Sequence, residues 1–286
     1  PATFPPRSIF LAGPTAVGKS EIALLLAERI GGEIISVDSM QVYRGLDIGT
    51  AKPSAEERAR VRHHLIDVVG LTETFDAAQF VRLANVAVAD IQSRGHVPIF
   101  CGGTGLYFKA FLEGLGEAPP ADEKLRAQLE ASPLPELLAE LAEKDPVTHE
   151  KIDRNNPRRV IRAIEVIRLT GKKFSGQRAE WKAKSESTIH SPRPAVIVGF
   201  AREVLDLRTR IDARVDRMFA RGLVEETRHL LDSGLAQNKT AMQALGYRQV
   251  MEHLRGEHTL PETIELVKIK TRQFAERLMT WFRRHG

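Results

Sequence analysis

Cysteine is almost absent from this chain. Cys101 is the single one in 286 residues, so no internal disulfide can form and a reducing compartment, the cytoplasm, is expected. No apolar run approaches the roughly 20 residues that span a bilayer, and no signal peptide is visible, so no membrane partner is expected. Glycine and proline number only 21 and 15, which excludes a collagen. A hydrophobic share of 42% excludes a disordered chain and a disulfide-dependent miniature alike. Internal repeats and low-complexity tracts are lacking. So is a first methionine: the chain starts at Pro1 and stops after Trp281-Phe-Arg-Arg-His-Gly, and processed or trimmed termini are expected. What is present suits one large α/β domain, or such a core carrying a smaller insertion.

The formal charge is only +5, but it is unevenly spread. From Lys144 to Lys184 there are twelve Lys/Arg against five acids, and from Lys268 to Gly286 six against one. Two basic segments on an otherwise balanced chain point to a polyanion, RNA or DNA. A solvated helix face is the commoner explanation of any single run.

Short apolar runs punctuated by glycine mark the strands. Ser8–Ala12 is the first, Glu33–Asp38 the second, His64–Val69 the third and Val97–Cys101 the fourth. Helical patterns at Glu21–Ile30 and Phe75–Arg94 alternate with them and are closed by Gly31-Gly32 and Gly95. This alternation predicts a parallel sheet with helices on both faces. Beyond Pro119-Pro120 the pattern becomes helical, and residues 171–193 read as a connection. Pro194–Phe200 adds one more apolar strand, and helices follow to the end. The expected fold is a P-loop NTPase-like α/β core with a parallel sheet of about five strands, residues 1–118 and 194–286, and a basic helical insertion at 119–193.

Gly13-Pro14-Thr15-Ala16-Val17-Gly18-Lys19-Ser20 has the spacing G-x-x-x-x-G-K-[ST] between a strand and a helix. Glycines let backbone N–H groups face a phosphate, and the helix N-terminus adds positive potential. Lys19 supplies a point charge, and the Ser20 hydroxyl is placed for Mg²⁺. A glycine-rich turn without a ligand is the plain alternative. A nucleotide hydrolase would also want an acid after the fourth strand, but that strand runs into glycines, and Asp67 is a weak substitute. A motor or GTPase therefore loses ground, while a P-loop kinase of a small metabolite stays open.

Asp38 closes the second strand at the same crevice and could take a proton from an attacking nucleophile. It could equally cap the next turn. Gln41 could read a base edge or merely face solvent. Thr104, in Gly102-Gly103-Thr104-Gly105, could serve a ligand or cap the following helix. His63-His64 lacks the spaced partners of a metal site.

Gly13–Ser20, Asp38-Ser-Met-Gln-Val-Tyr-Arg-Gly-Leu-Asp-Ile-Gly-Thr-Ala-Lys-Pro53 and Gly102-Gly-Thr-Gly-Leu-Tyr107 together resemble the tRNA dimethylallyltransferases, or tRNA isopentenyltransferases. The resemblance continues through Asn156–Glu165, Arg214–Met218 and Ala244–Gln249. With one cysteine the chain cannot supply the zinc finger of some eukaryotic relatives, so it is similar to the bacterial form. The resemblance implies transfer of a dimethylallyl group from its diphosphate to N6 of the adenine 3′ of the anticodon in tRNA. Asp38 would be the general base and Thr104 a substrate contact at the reaction centre. Residues 13–20 would hold the diphosphate, with Mg²⁺ at Ser20. The anticodon stem-loop would be held by Asp38, Ser39, Met40, Gln41, Thr104 and Arg126, by Arg158, Arg159, Val160, Ile161 and Arg162, and by Gln243, Gly246, Tyr247 and Arg248. Tyr247 could stack on RNA or pack at a glycine turn. Of Arg210 and Arg214, Arg214 is the expected diphosphate ligand, with i,i+4 ion pairing the alternative. The chain is expected to act as a monomer. A metabolite kinase using Asp38 to orient a hydroxyl, or an RNA-binding protein with a vestigial site, remain the competing readings.

Overall fold

A computed structural model describes residues 8–115, 118–176 and 196–285. The chain divides into two compact units, Pro1–Phe108 with Arg193–Gly286, and Lys109–Pro192.

The first unit is built on a five-stranded sheet of order β3-β2-β4-β1-β5. The strands are β1 (Ile9–Ala12), β2 (Gly32–Val37), β3 (His63–His64), β4 (Val97–Gly102) and β5 (Val196–Gly199). Every pairing is parallel. Ala12 and Val37 both stand opposite Gly102, and Ala12 also faces Gly199. The carboxyl ends are therefore level, and the turns after β1, β2 and β4 open on one edge of the sheet, where ligands of such sheets bind. The closeness of β2 and β4 there is a glycine requirement: a Cβ on Gly102 would sit 2.1 Å from the Val37 carbonyl oxygen.

The third strand is shorter than its apolar run predicts. Leu65 and Asp67 take left-handed backbone, φ 61° and 57°, which ends regular pairing after His64. Only an isolated parallel bridge, Tyr43 to Val69, continues the line.

Helix α1 (Lys19–Ile30) stops at Gly31, φ 66°. It buries Ala23, Leu24 and Ala27 against Leu11, Ile34 and Ile99. Helix α2 (Ala55–Arg60) follows a Ser54–Glu57 capping box, and α3 (Ala77–Ser93) an Asp76–Gln79 one. Aromatic pairs add to the core: Phe10 stacks on Phe100 and Phe80 on Tyr107. Helix α4 (Gly105–Glu113) begins directly after the Gly102–Thr104 turn.

The helical unit contains α5 (Glu123–Ala131), α6 (Leu134–Lys144), α7 (Pro146–Lys151) and α8 (Pro157–Thr170). Its core joins Leu129, Leu137 and Leu141 to Val160, Ile164 and Ile167. Asp145 is fully buried and accepts hydrogen bonds from the backbone and hydroxyl of both Thr148 and Ser175, at 2.6–3.1 Å. Burial pushes its carboxyl up, but these donors outweigh that and hold its pKa low. Much of the connection expected at 171–193 lies outside the described residues.

The chain ends in α9 (Val204–Ala220), α10 (Leu223–Asp232), α11 (Tyr247–Leu254) and α12 (Leu260–His285). Leu207, Ile211 and Val215 of α9 pack on Val267 and Ala275 of α12. Among the described residues no helix is long and apolar enough to cross a membrane.

Candidate active site

The loop between β1 and α1 has the conformation its glycines permit. Gly13 and Gly18 take φ 157° and 102°. A Cβ on Gly13 would lie 2.8 Å from the Phe200 carbonyl oxygen. Ala16 occupies left-handed backbone, φ 62°, without being glycine. Lys19 is buried and folds back on the loop, donating to the carbonyls of Gly13 at 2.9 Å and Pro14 at 2.6 Å. Burial lowers its pKa to about 8. Ser20 is exposed in the first helical turn. Arg202 donates its Nε–H to the Val17 carbonyl at 3.0 Å and pairs with Asp206 at 2.7 Å. No motif marked Arg202, yet it braces the loop from just ahead of α9.

Asp38 lies just past β2. Its Oδ1 accepts the N–H groups of Met40 at 2.8 Å and Gln41 at 3.2 Å. It therefore caps the turn, as one reading of the sequence held, with Oδ2 unspent among the described residues. The turn is tied to β4 by Ser39, whose N–H donates to Thr104 Oγ1 at 3.1 Å. The Thr104 N–H donates to Val37 at 3.1 Å, and its carbonyl receives Tyr107 and Phe108 to start α4. Met40 is half-buried beside them.

The charges of Lys19, Asp38 and Arg214 act on one another. Burial lowers the Arg214 pKa, and Asp38 opposes the shift. Arg214 has no hydrogen-bond or salt-bridge partner among the described residues. Arg210 is instead exposed and paired with Asp206 at 3.2 Å. Burial raises the Cys101 thiol pKa to about 11, with smaller influences from the charges of Lys19 and Asp38, which leaves it inert. A cavity of about 100 Å³ opens beside Ser20, lined by Leu24, Ile34, Gln41, Ile66 and Cys101 among others.

Several candidates stand elsewhere. Gln41 turns inward: its Oε1 accepts the Ser36 hydroxyl at 2.8 Å, and its amide donates to the carbonyls of Thr50 and Ala51 at 3.1 and 3.3 Å. Reading a base would cost it these bonds. Asp67 pairs with Lys52 at 2.5 Å and Arg58 at 2.8 Å, which makes it part of a scaffold and not a metal ligand. Lys52, buried, also reaches the Tyr43 carbonyl at 2.6 Å and Asp47 at 2.7 Å, and so ties the 43–52 loop together. Tyr247 corrects the stacking reading. It is fully buried, donates to Glu226 at 2.6 Å and accepts the Gly49 N–H at 3.0 Å, so no base can lie on its ring. Gly246 is also buried, while Gln243 and Arg248 are exposed. In the helical unit, Val160 and Ile161 belong to the core and are corrected from RNA contacts to packing residues. Arg158 and Arg159 are exposed, and Arg126 and Arg162 are half-buried on Glu165.

The end of the phosphate loop is where Mg²⁺ would sit. No group of three His, Cys, Asp or Glu side chains among the described residues could hold a metal alone. The Ser20 hydroxyl has no hydrogen-bond partner among them and stands at the end of the phosphate loop. One hydroxyl completed by diphosphate oxygens and water suits Mg²⁺, so the residues fit.

Residues 41–285 match the family described as IPP transferase. A tRNA dimethylallyltransferase of Geobacter metallireducens is 47% identical over 97% of this chain and 90% of its own. The crystal structure of a tRNA isopentenylpyrophosphate transferase from Bacillus halodurans superposes with a TM-score of 0.69 at 41% identity, covering 97% of this chain and 86% of that one. A eukaryotic dimethylallyltransferase caught acting on tRNA gives a TM-score of 0.73 at 29% identity, over 96% of this chain and 69% of that one.

Proposed function

This chain belongs to the IPP transferase family and is a tRNA-modifying prenyltransferase, and from that premise we propose that it moves a dimethylallyl group from dimethylallyl diphosphate to N6 of the adenine 3′ of the anticodon. The observation that carries the finer reading is that Lys19 and Asp38 follow the carboxyl ends of β1 and β2 and that their charges and that of Arg214 act on one another. Two cations there answer a leaving diphosphate, and one carboxylate answers a nucleophile that must lose a proton.

In the reaction, N6 forms a bond to C1 of the dimethylallyl group as the bond from C1 to the diphosphate oxygen breaks. The electron pair leaves with the diphosphate. The backbone N–H groups of the 13–20 loop other than Pro14, with Lys19 and Arg214, receive that charge. Asp38 takes the N6 proton through Oδ2, which its turn leaves unspent; a positioned base of this kind contributes about 10²–10⁴-fold. Thr104 keeps the backbone beside Asp38 in register. The five-carbon tail lies against the apolar wall formed by Leu24, Ile34 and Ile66. Mg²⁺, held by Ser20 and the diphosphate, would supply further charge neutralisation. The target adenine turns out of its loop stack to reach the site, at a cost of about a few kcal/mol. The single cysteine and the tRNA substrate favour a cytoplasmic enzyme.

The test is incubation of unmodified tRNA with Mg²⁺ and radiolabelled dimethylallyl diphosphate, beside Asp38→Asn. Label in wild-type reactions that drops about 100-fold or more in the variant supports the reading. Undiminished label in the variant removes Asp38 as the base. No label in any tRNA with adenine 3′ of the anticodon, with phosphate transfer from ATP to a metabolite, would favour the kinase.

A further inference from the structure

Glu165 of α8 has none of its side chain exposed, yet its two cationic partners are 38% and 31% exposed. Its Oε2 accepts from Arg126 Nη2 and from Arg162 Nη1, each at 2.6 Å. Its Oε1 accepts the Asp122 N–H at 3.2 Å. Arg162 gives a second N–H to the Pro119 carbonyl at 2.6 Å. One cation would suffice to pair a buried carboxylate. Here two share a single oxygen, so the cluster keeps a net positive charge. A guanidinium carries five N–H donors, and Arg126 spends one and Arg162 two on these partners. Most donors of the pair remain for something else.

The arrangement holds two like charges side by side, which water and mutual repulsion would otherwise spread apart. Three anchors oppose that spreading. The Asp122 N–H fixes Glu165 to the start of α5, where the Asp122 side chain caps Leu125 at 2.8 Å. The Pro119 carbonyl fixes the plane of Arg162. Glu165 itself is locked in the unit's core between Ile164 and Val166, both unexposed. Arg158 and Arg159 stand exposed in the first turn of the same helix. A preset pair of guanidiniums with free donors matches an anion offering several oxygens in one place, and a phosphodiester is such an anion.

We propose that Glu165 is a positioning residue for RNA: a buried counterion that presets Arg126 and Arg162 as a paired clamp on a backbone phosphate of the substrate. The proposal rests on the reading of the chain as a tRNA-modifying enzyme, and it adds a residue that touches no RNA itself. A merely neutralising Glu165 and a positioning one predict opposite signs. Glu165→Gln adds one positive charge to this face while keeping an acceptor for the Asp122 N–H. If Glu165 only dilutes the basic charge, tRNA binds more tightly to the variant. If it positions the arginines, tRNA binds less tightly despite the extra charge.

The experiment measures unmodified tRNA binding at fixed salt, the tRNA and dimethylallyl diphosphate KM values, kcat and the melting temperature for wild type and Glu165→Gln. The expected result is about a tenfold rise in the tRNA Kd and KM, with kcat at saturating tRNA and the dimethylallyl diphosphate KM unchanged. In an Arg126→Gln background the same substitution should change tRNA binding far less, because the clamp is already broken. Unchanged or tighter tRNA binding in Glu165→Gln overturns the proposal. If that variant does not fold, Arg126→Lys replaces it, keeping the charge and the Arg162 pair but losing the planar fork. A tenfold weaker tRNA Kd then supports the clamp, and an unchanged one overturns it. Binding is read apart from transfer, so a wild type that binds tRNA without labelling it would sink the enzymatic reading and not this one.

Discussion

The Thr104 hydroxyl oxygen receives the N–H of Ser39 at 3.1 Å, joining positions 65 residues apart. Ser39 follows Asp38 directly, so the hydroxyl at the end of β4 sets where the carboxylate at the end of β2 stands.

Thr104→Val keeps the shape and removes the acceptor. A single such bond is worth about 0.5–1.5 kcal/mol, so the melting temperature should fall by only a few degrees. The kcat for tRNA should fall about tenfold or more with the dimethylallyl diphosphate KM unchanged, and Thr104→Ser should restore it. Equal activity in Thr104→Val would detach Thr104 from Asp38 positioning.

Lys19 sets a pH limit on diphosphate binding. Burial lowers its pKa from 10.5 to about 8, so in the free enzyme the ammonium is lost as pH rises through about 8. The dimethylallyl diphosphate KM should rise above that pH, and the rise should vanish in Lys19→Arg, which stays charged. Stability moves the other way. The folded state sheds this proton before the unfolded state does, so the Lys19 contribution to stability increases between about 8 and 10.5. Steady-state kinetics against pH, with melting scans over the same range, check both signs.

Ser20→Ala should shift the Mg²⁺ dependence. Removing the one protein hydroxyl at the end of the loop should raise the half-saturating Mg²⁺ several-fold, with tRNA binding intact. Identical Mg²⁺ titrations for both proteins would take Ser20 out of the metal site.

Tyr247→Phe separates packing from RNA contact. The hydroxyl lies between the Glu226 carboxylate and the Gly49 N–H, and leaving that half-buried N–H unpaired costs about 1 kcal/mol, the low end for a lost partner. The variant should melt a few degrees lower, with tRNA affinity unchanged below the transition. Weaker tRNA binding with an unaltered melting temperature would reinstate an RNA contact through the Tyr247 hydroxyl.

Lys52 makes the 38–53 segment sensitive to acid. Burial pushes Asp67 up, but hydrogen bonds and charge from Lys52 and Arg58 hold it below 3.8. That stabilisation is complete above the unfolded carboxyl range and is lost as pH falls through the depressed folded value. Lys52→Met should cost toward the low end of the about 3–5 kcal/mol for breaking a buried pair, because Asp47 stays largely exposed. The variant should also lose less stability than wild type between neutral pH and acid, which urea unfolding at several pH values would show.

Local signals were legible where neighbours in sequence do the work. The β1 run, the Gly13–Ser20 turn and the Gly31 stop are each decided within a few residues, and the parallel sheet followed from their alternation. Asp38 and Thr104 were visible because each ends a strand. The third strand was overestimated because apolar residues do not reveal the left-handed backbone of Leu65 and Asp67. Val160 and Ile161 were read with their arginine neighbours as one basic block. The helical period in fact alternates them, sending Val160, Ile161 and Ile164 inward while Arg158 and Arg159 face out, and that period was readable. Tyr247 was not: its partners, Gly49 and Glu226, lie 198 and 21 residues away, and only the folded chain brings them together.

The placement of β5 has a consequence for synthesis. β1 lies between β4 and β5, and β5 begins only at Val196. As the chain leaves the ribosome, the strand that carries the phosphate loop therefore keeps one unpaired edge until the whole helical insertion has been made. Arg214 and the aromatic contact of Phe282 with Phe108 arrive later still. Nascent chains arrested before residue 196 thus carry the phosphate-loop sequence on a strand open to wrong partners.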